Sequence, residues 1–215
     1  MYVPHHFAET DQDSIRAFIR SHGFGTLVSW DGVRPVATQL LLNLSLGSDS
    51  EMVLTGHIAK ANPQWKTFTA DREVLALFEG PHAYVSAAWY SVQSAPTWNY
   101  ITVQAYGTIQ LVDDKNELYT LLKDLVDKQE SYSPIHQRYQ IESLSPDILE
   151  SMMNGIVGFK MKVSKVESAA KLSQNRNGKD CANIISKLHE RGDADSEAIA
   201  KEMELRQSKL GKDIV

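Results

Sequence analysis

Near the end of its β-rich region the chain reads Lys171-Leu172-Ser173-Gln174-Asn175-Arg176, two cations and three polar side chains in six residues. Such density can hold a phosphate, read the polar edge of a ring or meet a partner chain, and it equally suits a plain surface loop. A second run, Gly56-His57-Ile58-Ala59-Lys60-Ala61-Asn62-Pro63-Gln64-Trp65, stands where a strand gives way to a helix. Unpaired N–H groups at a helix start attract anions, and His57 and Lys60 add donors or positive charge, so this junction also suits a phosphate. The alternative is local: Asn62 caps the helix, Pro63 takes its first position and Lys60 is simply exposed.

The third constellation is aromatic, Tyr84-Val85-Ser86-Ala87-Ala88-Trp89-Tyr90 followed by Pro96-Thr97-Trp98-Asn99-Tyr100. Wide flat faces beside the hydroxyls of Ser86 and Thr97 and the amide of Asn99 suit a planar heteroaromatic ligand. They also suit a barrel core closed by aromatics whose polar atoms find local partners. Metal chemistry lacks a motif, because no histidine has the i, i+4 spacing around a glutamate or the companion cysteines of a zinc site. Cys181 is a lone thiol at a helix start, and Gly23-Phe24-Gly25 lacks the third glycine of a dinucleotide fingerprint.

Strands must carry most of these residues. Phe24–Trp30 and Val33–Leu46 flank Asp31-Gly32, a dipeptide suited to a tight hairpin turn. Glu51–Thr55, Glu73–Glu79, Ala83–Ala87, Tyr100–Val112 and Ile156–Val166 are further strands, rich in β-branched and aromatic residues. Helices surround them: one capped by Thr10-Asp11-Gln12-Asp13 with Ile15, Phe18 and Ile19 inward, a short one at Pro63–Thr69, one from Lys115 to Gln129 with Leu118, Leu121, Leu122, Leu125 and Val126 on a face, and one at Pro146–Met153. Two polar helices fill Asp180–Leu210, broken near Gly192-Asp193. The second, Ser196–Leu210, has few apolar residues and is expected to pack lightly or to need a partner chain. The expectation is therefore a mainly β, α+β barrel domain over 1–179 and a helical extension over 180–215.

Composition bounds what this fold can do. The chain has 215 residues, 42% of them apolar and 23% charged, enough to bury one core without disulfides. No apolar run approaches the roughly 20 residues of a membrane span, and the start lacks a secretory pattern, so a soluble cytoplasmic protein without membrane partners is expected. A net charge of -5 disfavours broad nucleic-acid binding. Between Lys160 and Arg191, however, eight cations face three acidic residues. That strip is the candidate surface for a phosphate or for DNA, or else a solvated basic face.

Taken in order, these motifs resemble the PaiB-like negative transcriptional regulators, a branch of the flavin mononucleotide (FMN)-binding split-barrel superfamily. The resemblance covers about residues 1–180. It rests on Met1-Tyr2-x-Pro4-x-His6-Phe7, the Gly56–Trp65 run, Trp89-Tyr90, Pro96–Tyr100 with Ala105-Tyr106-Gly107 after it, and Lys171–Arg176. It implies a six-stranded split barrel forming a homodimer, with two flavin sites each lined by both subunits. On that basis Lys60, Lys171 and Arg176 are expected to hold the FMN phosphate, and Trp89, Trp98 and Asn99 to border the isoalloxazine ring. His57, Asn62, Ser86, Ser173 and Gln174 complete the expected set. The family usually carries Ser-Pro-Ser-Trp-Tyr where this chain has Ser86-Ala87-Ala88-Trp89-Tyr90, which removes a hydroxyl.

Three functions compete. The resemblance implies a flavin-linked repressor, although no helix-turn-helix is recognisable. An FMN-dependent oxidoreductase acting on a small molecule is the alternative, since a flavin performs redox chemistry without an acid/base motif from the protein. The third is a barrel that binds another planar ligand.

Overall fold

Asp31 starts the sheet. Its Oδ1 accepts hydrogen bonds from Val33 N at 2.7 Å and Arg34 N at 2.8 Å, an Asx turn that reverses the chain. Strands β1 (Phe24–Trp30) and β2 (Pro35–Leu41) then pair antiparallel from Phe24↔Leu41 to Trp30↔Pro35. This computed structural model describes residues 1–47 and 50–210. The remaining strands are β3 (Asn43–Leu46), β4 (Met52–Ala59), β5 (Glu73–Val85), β6 (Thr97–Val112) and β7 (Ile156–Lys171), in the sheet order β2-β1-β5-β6-β7-β4-β3. Among the described residues seven strands replace the expected six. The second arm of the hairpin divides at Leu42 into β2 and β3, with β3 pairing on β4 rather than on β1. The two segments expected at Glu73–Glu79 and Ala83–Ala87 are instead one strand, β5, which runs through Gly80 and Pro81.

The helices are α1 (Gln12–Ser21), α2 (Lys115–Glu130), α3 (Pro146–Asn154), α4 (Gly178–Arg191) and α5 (Ala194–Leu210). Asp11 caps α1, accepting from Ser14 N at 2.9 Å, and Asp114 caps α2 through Glu117 N at 2.8 Å. Gly192, at φ +71, lets the chain leave α4 in the left-handed conformation that a side chain would strain.

The chain divides into two compact units. One holds Arg16–Phe78 and Gln104–Val166; the other holds Met1–Ile15, Glu79–Val103 and the residues from Glu167 onward. In the first, alternation along the strands buries Leu27, Leu54, Phe78, Phe159 and Met161, and α2 buries Leu118, Leu121 and Leu125 around Val112, as its periodicity predicts. Gly107 is forced there by a close approach: a Cβ would lie 2.0 Å from the Lys162 carbonyl oxygen.

In the second unit Ile184 and Leu188 of α4 and Ile199, Ala200 and Met203 of α5 are buried. The expectation of a lightly packed last helix is corrected: Ile199, Ala200 and Met203 share one buried stripe, at positions i, i+1 and i+4, while Leu205 stays exposed. Residues 211–215 of the expected extension lie outside the described residues.

Candidate functional site

The junction after β4 is built by its own amides. The Asn62 side chain accepts from Gln64 N at 3.0 Å and donates to Thr38 Oγ1 at 2.9 Å. Lys60 N is spent on Gly155 O at 2.9 Å, and Lys60 O accepts from Trp65 Nε1 at 3.0 Å. Gln64, which sequence reading did not single out, is the buried hub: Nε2 donates to Leu27 O (3.0 Å), Ser29 Oγ (3.1 Å) and Val36 O (3.2 Å), and Oε1 accepts from Thr38 Oγ1 (2.5 Å). A shallow cleft of about 220 Å³ lies against Thr38, Asn62, Gln64 and Thr67.

The expected helix is a five-residue 3-10 turn, Pro63–Thr67, too short to aim a macrodipole at an anion. Positive charge for a ligand at this junction comes from the exposed ammonium groups of Lys60 and of Lys66, the latter 5.8 Å from the Trp65 ring centroid. His57, half-buried on β4, has a buried Nδ1 with no hydrogen-bond partner, and burial pushes its pKa down, so at neutral pH it is an uncharged imidazole.

The other unit brings together Ser86, Trp89, Trp98, Asn99, Lys171, Ser173, Gln174 and Arg176. Ser86 Oγ accepts from Ala88 N at 3.2 Å and so closes the turn at Ala87–Trp89. The turn is tied to α4: Asn183 Nδ2 donates to Trp89 O at 2.5 Å, and Ser91 N donates to Asp180 Oδ1 at 2.7 Å. Two guanidinium groups lie over its rings, Arg176 at 4.1 Å from the Tyr90 centroid and Arg191 at 4.9 Å from that of Trp89. The Tyr90 hydroxyl oxygen is buried and without a partner. Trp98 is 52% exposed and stands beside Tyr84 and His82, at centroid distances of 5.9 and 5.8 Å.

Asn99 is fully buried. It accepts from Ser173 Oγ at 3.0 Å and donates to Met203 Sδ at 3.5 Å. Ser173 adopts φ 62, a left-handed conformation unusual for a side-chain-bearing residue, and this buried bond to Asn99 holds it there. Gln174 folds back on its own loop, accepting from Leu172 N (2.7 Å) and donating to Ala170 O (2.5 Å). Lys171 Nζ donates to Thr97 Oγ1 at 2.5 Å and lies 5.7 Å from the Phe7 ring centroid. Asn99, Ser173 and Gln174 thus shape the loop, while Trp98, Tyr90 and Arg176 present surface or unspent polar atoms. The buried, unpartnered Tyr90 hydroxyl with Arg176 over its ring fits the polar edge or phosphate of a heteroaromatic ligand, and in the other unit the buried Nδ1 of His57 is likewise without a partner.

The basic strip is divided between the units. Lys160 pairs with Glu117, Lys162 with Glu51 at 2.6 Å and Lys187 with Glu190 at 2.6 Å. Lys165 lies over Tyr106, and Arg191 donates to Tyr84 O at 3.0 Å. Most of these cations are spent inside the chain. Among the described residues no helix is long and apolar enough to cross a membrane, and no His, Cys, Asp and Glu cluster could hold a metal ion.

An antiparallel sheet of this order with peripheral helices is a split barrel. The flavocytochrome Anf3 from Azotobacter vinelandii has this fold at a TM-score of 0.57 and 13% identity, covering 82% of this chain and 73% of that one. So does the FAD and heme binding protein from Mycobacterium smegmatis, at a TM-score of 0.54 and 10% identity, covering 81% and 78%. The family described as "Putative FMN-binding domain" matches residues 1–165. Along its whole length the chain is 41% identical, over 214 residues covering 100% of both, to the protease synthase and sporulation protein PAI 2 of Bacillus subtilis. The chain belongs to the PaiB-like family of FMN-binding split-barrel proteins.

Proposed function

We propose that the protein is a cytoplasmic PaiB-like negative regulator of transcription that works as a homodimer and binds FMN. The observation that carries this reading is full-length similarity to PAI 2, joined to orphaned polar atoms on two of the family motifs. Bound FMN would supply one- or two-electron redox chemistry.

The chain's own residues orient the ligand and screen it from water. Trp98 and Trp89 offer ring faces for stacking, and the Tyr90 hydroxyl offers a donor. Two sets of cations are candidates for the phosphate, Arg176 with Lys171 in one unit and Lys60 in the other. Asn99, Ser173, Gln174 and Ser86 hold the loops in shape, and Asn62 holds the Lys60 turn. His57 is the neutral hydrogen-bonding group of the second set. Exposure of Trp98 with Tyr84 is the kind of aromatic surface that a second copy covers.

DNA contact would fall to the Lys160–Arg191 strip, most of whose cations already have partners in the chain. Sedimentation velocity and mobility shift of the promoter fragment test the regulator. A dimer that retards this DNA, with retardation lost in the Lys171→Ala, Arg176→Ala double variant, is expected. A monomer, or a dimer that leaves the promoter fragment unshifted at low salt, overturns the reading.

A further inference from the structure

We propose that His189 is a proton-operated latch that fastens α5 over Asn99 and Ser173 and loosens when the imidazole loses its charge. His189 leaves α4 facing two α5 carboxylates at once, Nδ1 at 2.9 Å from Glu197 Oε2 and Nε2 at 3.1 Å from Glu204 Oε1. Glu197 and Glu204 are seven residues apart, two turns along one face of α5, so a single imidazole spans half the helix. Both bonds need an N–H. An imidazolium has two, whereas a neutral imidazole has one and turns a lone pair toward the other carboxylate. Loss of one proton therefore breaks one of the two links and turns a ring lone pair toward that carboxylate.

Most of the other charged groups near this contact are engaged elsewhere; Lys201 is the exception. On α4, Lys187 pairs with Glu190 at 2.6 Å, and Arg191 donates to Tyr84 O at 3.0 Å and Ser196 Oγ at 3.4 Å. At the α4–α5 corner Asp193 accepts from Ser196 N at 2.9 Å and Ser196 Oγ at 2.7 Å. Asp195 stands 3.9 Å from His82. Lys201 lies between the two glutamates on α5, one turn from each, and the Ala87–Trp89 turn packed on α4 brings no charge.

What the latch fastens is defined by the next residue. Met203 adjoins Glu204, is buried, and receives the Asn99 amide at 3.5 Å. Asn99 in turn holds the left-handed Ser173. α5 is thus the cover on the buried polar pair that shapes the Lys171–Arg176 loop, and His189 sets how firmly that cover sits. The carboxylates raise the His189 pKa, Glu204 most and then Glu197. The latch contributes fully below the unfolded histidine value of about 6.5 and is lost as pH rises through the higher folded value.

Hydrogen exchange of α5 and NMR of the Met203 methyl, both on the full chain, test this. After correction for intrinsic rates, α5 amides should be about threefold or more less protected at pH 8.5 than at pH 6, the scale of two half-exposed ion pairs. The Met203 methyl resonance should move with the same midpoint as the His189 ring. His189→Gln cannot titrate and should abolish the change, while His82→Gln should leave it intact. Glu204→Gln should lower the His189 midpoint, a result that stands even if His189→Gln fails to fold. The inference is overturned if α5 protection is the same at both pH values, if the change survives His189→Gln, or if His189 titrates at or below the ordinary histidine value.

Discussion

Replacing Gln64 by methionine keeps the volume of the side chain and removes its hydrogen bonds. In the native protein the amide's two hydrogens serve Leu27 O, Ser29 Oγ and Val36 O, and its oxygen accepts from Thr38 Oγ1. About three bonds at roughly 1 kcal/mol each are lost, and some of the stranded acceptors lie too deep to regain water, so the expected destabilisation is about 3 kcal/mol. For a chain of this length that corresponds to a fall in Tm of about 6–12 °C. Urea unfolding followed by far-UV circular dichroism reads the free energy directly. Gln64→Glu adds a diagnostic sign. A carboxylate facing two carbonyl oxygens is disfavoured, so the folded pKa of the introduced acid rises above its unfolded value of about 4.3. The folded state then binds more protons, and the variant should be weakest at neutral pH and recover as pH falls toward 5. A loss under about 1 kcal/mol for Gln64→Met, or a Gln64→Glu penalty independent of pH, would refute the view of Gln64 as the hub of this junction.

Gly107→Ala should destabilise the chain strongly and lower its soluble yield, since the new Cβ would meet the Lys162 carbonyl at 2.0 Å. Asn99→Ala strands the buried Ser173 hydroxyl and should cost about 2–4 kcal/mol by urea unfolding, more than Trp98→Ala at the exposed ring. Asp180 has its pKa lowered, mainly by hydrogen bonds from Ser91; its contribution is present above the unfolded value and lost as pH falls through the folded one. Acid below about pH 4 should therefore loosen the Trp89 turn, read as a change in tryptophan fluorescence that Asp180→Asn removes. His57, depressed by burial, should titrate in NMR below the ordinary histidine midpoint.

Much of the framework was legible because it depends on local chemistry. The chain reversal at Asp31-Gly32, the cap of α1 within Thr10–Asp13 and the leucine stripe of α2 follow from residue type and spacing. Pairing across long separations was not legible. β4 takes β7 as its other neighbour, about 100 residues downstream in the paired register, a choice that no local pattern signals. Asn99 and Ser173 were singled out as polar residues of the right type, yet the bond between them spans 74 positions and points inward. Gln64 lay inside a motif already noted, but a buried glutamine and an exposed one read alike in sequence. α5 misled for a related reason: three buried apolar residues are few in composition and sufficient in geometry.

A flavin-linked function stands or falls with flavin binding by the native chain. Titration of FMN with the purified protein, followed by flavin fluorescence and polarisation, should saturate at one flavin per chain with micromolar or tighter affinity. Trp98→Ala should weaken it, and the Lys60→Ala and Arg176→Ala variants will show which cation meets the phosphate. Fluorescence and polarisation unchanged by a large excess of folded protein would contradict the central claim.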